Sequence, residues 1–273
     1  MLQSRTWQVN EDAGVIYLTI PAFTKTGMVR HGFSTRVGGL SPSPFGMNLS
    51  ISSEDDPRNV RLNYERMAYV LESYTGNMVV SAQVHGTDIL RVGVMDRGKG
   101  VTIPREMEAI DGLVTDQSQV CLVTIHADCV PLFFLDPVHR AIGLAHAGWR
   151  GTLDQIGSKM VARMQSEFES KPEDLLAAIG PSIGPCCFEV GADVAEGFAA
   201  RYQGQPDIVR AAGTPGKYMV DLWEANRLTL TGAGVLPDRI TVTDICTCCN
   251  ADIFHSYRKT RTPGRMAAFL ELI

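Results

Sequence analysis

The chain has 273 residues, 45% hydrophobic and 20% charged, with a net charge of −5 at pH 7. That length buries a sizeable core, and its scattered basic residues argue against a nucleic-acid surface while allowing a local anion pocket. No apolar run approaches the roughly 18 residues that span a bilayer. The N-terminus lacks a signal-peptide pattern, and the seven cysteines, an odd count with two vicinal pairs, suit a reducing cytosol. The expected location is cytoplasmic, with no membrane contact.

In chain order, "GVIYLTI" (14–20) is β-branched and aromatic and predicts a strand. Residues 37–57, dense in Gly, Pro and Ser, read as a long ordered loop, a kind that is often functional. Asp56 and Pro57 then mark a helix start, with Val60, Tyr64, Met67 and Leu71 as its buried stripe and Gly76 as its end. Strands are expected at 78–84, 88–94, 110–115, 119–126, 131–136 and 141–146.

After Gly151 the apolar period changes from two to 3.6, and Leu153, Ile156, Met160, Met164 and Phe168 share one face. Thr152 and Gln155 have capping-box spacing, so this helix is predicted to begin directly after "HAGWRG". Asp221 and Glu224 signal a further helix to about Gly232, and 265–272 reads as a closing strand. Consecutive strands outnumber helices, which predicts an α+β class with mixed sheets. No composition break divides the chain, so 1–273 is expected to form a single domain.

Three segments place a metal-ligating residue where an apolar strand meets a turn: His85 in "SAQVHGTDIL", Cys129 in "TIHADCVPLFF" and His146 in "IGLAHAGWRGTL". The separations fit no compact zinc finger, so position carries the reading. Two imidazoles and a thiolate would give zinc three protein ligands and leave a fourth position open, the catalytic pattern. A metal-free Cys–His pair, with Cys129 activated by His85 or His146, is the other chemistry these residues allow. His126 is a weaker partner, because positions 126 and 129 of one strand would face opposite sides.

Arg150 in "GWRGT" and Arg36 in "HGFSTRVGG" both sit at glycine turns and are candidates for an anion, alongside a helix start at Thr152. Asp111 and Glu189 are the carboxylates to test for proton transfer. Cys186-Cys187 and "CTCC" (246–249) read as reduced structural thiols, since the Cys246–Cys249 spacing lacks an evident second pair for a zinc knuckle.

Taken together, "QVHG", "DGLVTD", "HADCVP", "HAGWRG", "GPSIGPCCFEVG" and "SYRKTRTPGRMAAF" resemble signatures of the YfiH/YlmD family, from about residue 28 to the C-terminus. Its members have been called polyphenol oxidase (laccase), purine nucleoside phosphorylase and peptidoglycan editing factor. The resemblance implies stacked mixed sheets between helices, in α/β/β/α-like layers. It also implies a metal site, zinc or else copper, at His85, Cys129 and His146, the three residues also placed in catalysis. Arg36, Asn48, Gln83 and Arg150 are the candidate substrate-binding residues. Two departures stand out: His126 replaces a common threonine, and Phe188 a common tyrosine.

The activity implied is phosphorolysis of adenosine, inosine and methylthioadenosine, with adenosine deamination beside it. The expected partners are a nucleoside and phosphate, the chain being a monomer or small homo-oligomer. An alternative is a Cys–His or zinc amidohydrolase that edits peptidoglycan precursors. A zinc-binding module without catalysis is a third reading. Laccase chemistry is disfavoured, because the six histidines (31, 85, 126, 139, 146, 255) include no His-x-His pair to feed a trinuclear copper cluster.

Overall fold

The strand Val130–Asp136 is buried along its whole length, and its side chains divide by parity. Val130, Leu132 and Phe134 join one apolar cluster, Phe133 and Leu135 another. Successive strand residues point to opposite faces, so a strand apolar on both faces must be covered on both. The computed structural model, which describes residues 2–51, 54–261 and 263–273, has a second sheet on one side and helices on the other.

The sheet containing this strand runs Ile240–Val242, Leu176–Ile179, Val130–Asp136, Ala141–Ala147, Gly112–Thr115, Ile89–Arg91. The facing sheet runs Gln8–Asp12, Val15–Thr19, Val29–Ser34, Met266–Leu272, Cys121–His126, Met78–Val80. Both are mixed. Leu176–Ile179 pairs parallel with Ile240–Val242 and antiparallel with Val130–Asp136, and Met78–Val80 lies parallel to Cys121–His126.

Phe33, Leu122 and Leu270 meet Phe133, Ile142 and Leu144 between the sheets. Helix Pro57–Val70 covers one outer face through Val60, Tyr64 and Met67. Helix Ile156–Phe168 covers the other through Ile156, Met160 and Met164. The layers are therefore helix, sheet, sheet, helix, the α+β arrangement that the sequence implied. A small sheet of Glu189–Val190, Tyr218–Val220 and Val209–Ala211 was not foreseen, its strands being too short to show a period. Among the described residues no helix is long and apolar enough to cross a membrane.

The Asp56 and Asp221 caps form as expected, Asp56 accepting from the Arg58 N–H at 2.9 Å and Asp221 from the Glu224 N–H at 2.9 Å. The helix capped by Asp56 ends at Val70, not at Gly76, which lies in a separate turn, Thr75–Asn77. The expected strand 78–84 pairs only over Met78–Val80. Beyond it the backbone bonds to a loop instead, with Ala82 N–H donating to Met107 and Ile110 N–H to Ala82. Ser52 and Ser53 of the long loop lie outside the described residues.

The helix start at Thr152 is corrected. A single turn, Trp149–Leu153, begins after Gly148, and the chain breaks at Gln155, whose φ is 59°, before Ile156–Phe168. Thr152 caps nothing: its hydroxyl is buried and accepts from Asn226 Nδ2 at 3.1 Å. A tertiary partner outcompeted the local cap.

His31 lies in Val29–Ser34, and its Nε2 accepts the Ile20 N–H at 2.8 Å. Burial lowers its pKa from 6.5 to about 4. Between those values the unfolded chain binds the extra proton, so stability is present above pH 6.5 and falls as pH drops towards 4. Each pH step of one between those values costs about 1.4 kcal/mol, so the expected loss by pH 4.5 is roughly 2–3 kcal/mol. Denaturant unfolding at pH 7 and near pH 4.5 checks this. His31→Gln should shrink the pH-dependent loss, and an unchanged loss in that variant would remove His31 from the account.

Candidate metal centre

His85, Cys129 and His146 come together, with one donor atom from each within 4.8 Å of the others. They arrive by different routes. His146 is the penultimate residue of Ala141–Ala147, on the parity of Ile142 and Leu144 that faces the space between the sheets. Cys129 occupies the turn between Cys121–His126 and Val130–Asp136, directly before a strand and not at the end of one. His85 lies in a bend well past the end of Met78–Val80.

Two of these turns are strained. His85 has φ 63° and Asp128, beside Cys129, has φ 77°. Left-handed values are uncommon outside glycine and persist where the surroundings hold them. Asp128 is held by Thr247 Oγ1 at 2.7 Å, Ser256 Oγ at 3.0 Å and the Arg258 N–H at 2.7 Å.

His85 is held by Asp111. This carboxylate accepts the N–H groups of Val84 (3.0 Å), His85 (3.1 Å) and Gly86 (2.8 Å), and also His146 Nδ1 at 2.8 Å. Burial pushes the Asp111 carboxyl up, but the bonds from His146, Val84 and Gly86 outweigh it and hold the group below its ordinary range. An ionised carboxylate has no proton to give, so Nδ1 of His146 carries the proton and Nε2 is left for the cluster.

Burial also opposes charge on Cys129 and His146. Their mutual attraction prevails: His146 and His85 lower the Cys129 thiol, while Cys129 and Asp111 raise the imidazole of His146.

This donor set fits a thiophilic transition metal: a thiolate and two imidazoles, one backed by a carboxylate. Gly148 closes the cradle, since a Cβ there would come within 2.7 Å of His85 Cδ2 and 3.4 Å of Cys129 Sγ.

The three donors border a cavity of about 520 Å3. Its wall includes apolar Leu49, Val80 and Ile125, together with Tyr257, Arg105 and Arg265. Gln83 also lines it, its amide paired in both directions with the Ile125 backbone at 2.9 and 2.7 Å.

A match to a known family spans residues 30–273, described as multi-copper polyphenol oxidoreductase laccase. The chain is 40% identical over 242 residues to purine nucleoside phosphorylase YlmD of Geobacillus stearothermophilus, covering 88% of each. It is 36% identical to the Bacillus subtilis protein of the same name, covering 88% of this chain and 87% of that one. The chain belongs to the YfiH/YlmD family. The crystal structure of Geobacillus YlmD superposes with a TM-score of 0.90 at 38% identity, covering 98% of both chains. That of YfiH from Bacillus licheniformis gives 0.89 at 33%, covering 98% of this chain and all of the other.

Within this YfiH/YlmD fold the other expected site residues are scattered. Asn48 is buried behind the wall, its Oδ1 accepting the Arg265 N–H at 3.0 Å. Arg36 donates to the carbonyls of Ala251 and Pro44 at 3.0 and 2.7 Å, and Arg150 lies exposed over the Trp149 ring at 4.3 Å; neither lines the cavity. Glu189 also lies outside the lining.

His126 turns away from Cys129 Sγ: Nδ1 meets the Cys129 carbonyl at 3.1 Å and Nε2 meets Thr124 Oγ1 at 2.8 Å. A bend at 127–129 separates the two residues, so strand parity does not relate them. Sequence reasoning missed Arg105 and Arg265; Arg265 stood in view inside "SYRKTRTPGRMAAF".

Asp111→Asn tests how much the cluster depends on its carboxylate. The amide offers one acceptor oxygen and no charge, so metal affinity or activity should fall roughly 10–100-fold with the fold retained. Metal titration followed alongside circular dichroism reads this. Unchanged affinity would show that His85 and His146 need no such support.

Proposed function

We propose that the chain is a zinc-dependent purine nucleoside phosphorylase, acting on adenosine, inosine and methylthioadenosine, with adenosine deaminase activity in the same cavity. The observation carrying this reading is that two arginines, Arg105 and Arg265, share one cavity with His85, Cys129 and His146. Relatives at 35–40% identity named purine nucleoside phosphorylase support it.

Phosphorolysis joins a phosphate oxygen to the sugar C1′ and breaks the bond from C1′ to the base. The bonding pair leaves with the base, which takes up a proton, and ribose 1-phosphate remains. Two guanidiniums suit a phosphate nucleophile, neutralising it and fixing its direction. The backbone of Arg265 is anchored by Asn48, whose Nδ2 donates to Asp55 at 3.0 Å. Leu49, Val80 and Ile125 offer the apolar wall that a purine ring needs. Gln83, already paired with Ile125, shapes that wall.

In deamination, water replaces the amino group and ammonia leaves. A zinc ion held by the three donors supplies Lewis acidity at the cavity wall. Asp111 serves as a positioning group, because all four of its hydrogen bonds go to the elements that carry His85 and His146.

Copper chemistry of the laccase type asks for three more coppers fed by histidine pairs. Here His31 accepts from Ile20, His139 pairs with Asp136 at 2.9 Å, and His255 is buried outside the cavity lining. One observation favours a second reading. Cys129 Sγ and a ring nitrogen of each of His85 and His146 lie within 4.8 Å of one another, which suits a cysteine nucleophile with a histidine base in an amidohydrolase acting on peptidoglycan precursors.

Base release from adenosine or inosine should require phosphate. Chromatography of hypoxanthine, adenine and inosine with and without phosphate decides this; equal release in both arms would make the enzyme a hydrolase. Arg265→Met should weaken phosphate use by about 1.5–3 kcal/mol, read as a raised KM for phosphate.

Cys129→Ser separates the two chemistries. A hydroxyl stays protonated at neutral pH and is a poor zinc ligand, so the zinc of this site and the activity should be lost together. A variant that keeps the parent's full zinc content but is inactive would make Cys129 the nucleophile.

A further inference from the structure

Away from the cavity, Cys186, Cys187, Cys246 and Cys249 converge, with their four sulfur atoms within 4.8 Å of one another. None is in a disulfide. The second pair that a zinc knuckle needs is thus present, supplied by a vicinal Cys-Cys from a distant segment. Zinc bound to four thiolates at about 2.3 Å places its sulfurs about 3.8 Å apart in a tetrahedron. Two of the contacts here, Cys186–Cys249 and Cys187–Cys249, are 3.5 and 3.4 Å. A disulfide would need about 2.05 Å.

Burial pushes the Cys186 and Cys187 thiols up, and two groups work against it. The Gly184 N–H donates to Cys246 Sγ at 3.2 Å, the kind of N–H···S bond that stabilises a coordinated sulfur. Arg258 sets a positive charge nearby, its Nη1 donating to the Cys187 carbonyl at 3.0 Å and to that of Glu189 at 2.9 Å. Cys186 and Cys249 are exposed, which gives an ion an entry path.

We propose that Cys186, Cys187, Cys246 and Cys249 bind a second zinc ion as a structural four-thiolate centre. With four protein ligands its coordination is closed, so it takes no part in turnover. Its place in the fold explains its use. The cysteines lie on the loops that follow Leu176–Ile179 and Ile240–Val242, neighbouring parallel strands. Between the two loops the backbone pairing thins to an isolated parallel bridge, Ser182 with Cys246, with the Thr247 N–H donating to the Ser182 carbonyl at 2.9 Å, and the ion ties them further out.

Those loops also hold the turn before Cys129. Ile183 N–H donates to the Asp128 carbonyl at 2.9 Å, and Thr247, Ser256 and Arg258 hold its carboxylate. The second centre therefore clamps the segment that keeps Asp128 in its left-handed conformation.

The test compares the parent chain, the double variant Cys186→Ser/Cys249→Ser and Cys129→Ser, each stripped of metal, reduced and titrated anaerobically with Co2+. The parent should take up one equivalent more than the double variant. The most intense visible bands, those of four-thiolate tetrahedral cobalt, should persist in Cys129→Ser, while the double variant should keep only the weaker bands of the single-thiolate site at Cys129. Equal uptake by parent and double variant overturns the proposal, as does loss of those bands in Cys129→Ser alone.

Should the double variant fold poorly, alkylation of the parent decides. Added Zn2+ should protect all four cysteines from iodoacetamide, mapped by peptide mass. Alkylation unaffected by Zn2+, or a disulfide recovered from the reduced protein, overturns it.

Discussion

Asp111 is completely buried and accepts four hydrogen bonds, three from consecutive backbone N–H groups at 84–86 and one from His146. An unpaired carboxylate in such a place would be costly, and this one is fully paired. The same bonds hold His85 at a positive φ and choose the tautomer of His146. The His146 N–H also donates to the Asp111 carbonyl at 2.8 Å, so strand pairing and side-chain pairing lock the same two residues. The candidate metal centre depends on this carboxylate more than on either strand alone.

The third donor is secured independently. Cys129 stands on a turn whose strained residue, Asp128, is tied to the segment 247–258, and that segment is reached through the four-cysteine cluster. The site is thus supported from two sides by buried carboxylates, Asp111 accepting four hydrogen bonds and Asp128 three. Strain beside a site is sustained only where the surrounding structure over-determines it, and both turns meet that condition.

The cavity follows from the sandwich. Its wall is drawn from the edge of one sheet at Val80 and Ile125, from the long loop at Leu49 to Ile51, and from Tyr257 and Arg265 near the closing strand. Segments far apart in sequence thus set apolar surface, two arginines and His85, Cys129 and His146 around one space. That mixture suits a ligand with a flat apolar ring at one end and an anion at the other.

Local signals determined much of this protein. Alternating and continuous apolar runs marked Cys121–His126, Val130–Asp136 and Ala141–Ala147, and Asp56 and Asp221 marked helix starts, because periodicity and capping act over a few residues. His85, Cys129 and His146 stood out for the same reason, as ligating side chains at the margins of such runs. Tertiary structure decided what distance along the chain hides.

Thr152 found Asn226 in place of its own helix, and Arg36 and Arg150 went to carbonyls and an aromatic ring outside the cavity. Asp111 took hydrogen bonds from residues on two other segments, and vicinal cysteines at 186–187 met Cys246 and Cys249. Each of these partnerships joins groups that only chain folding brings within hydrogen-bonding or ligand distance, and no spacing in the sequence encodes it.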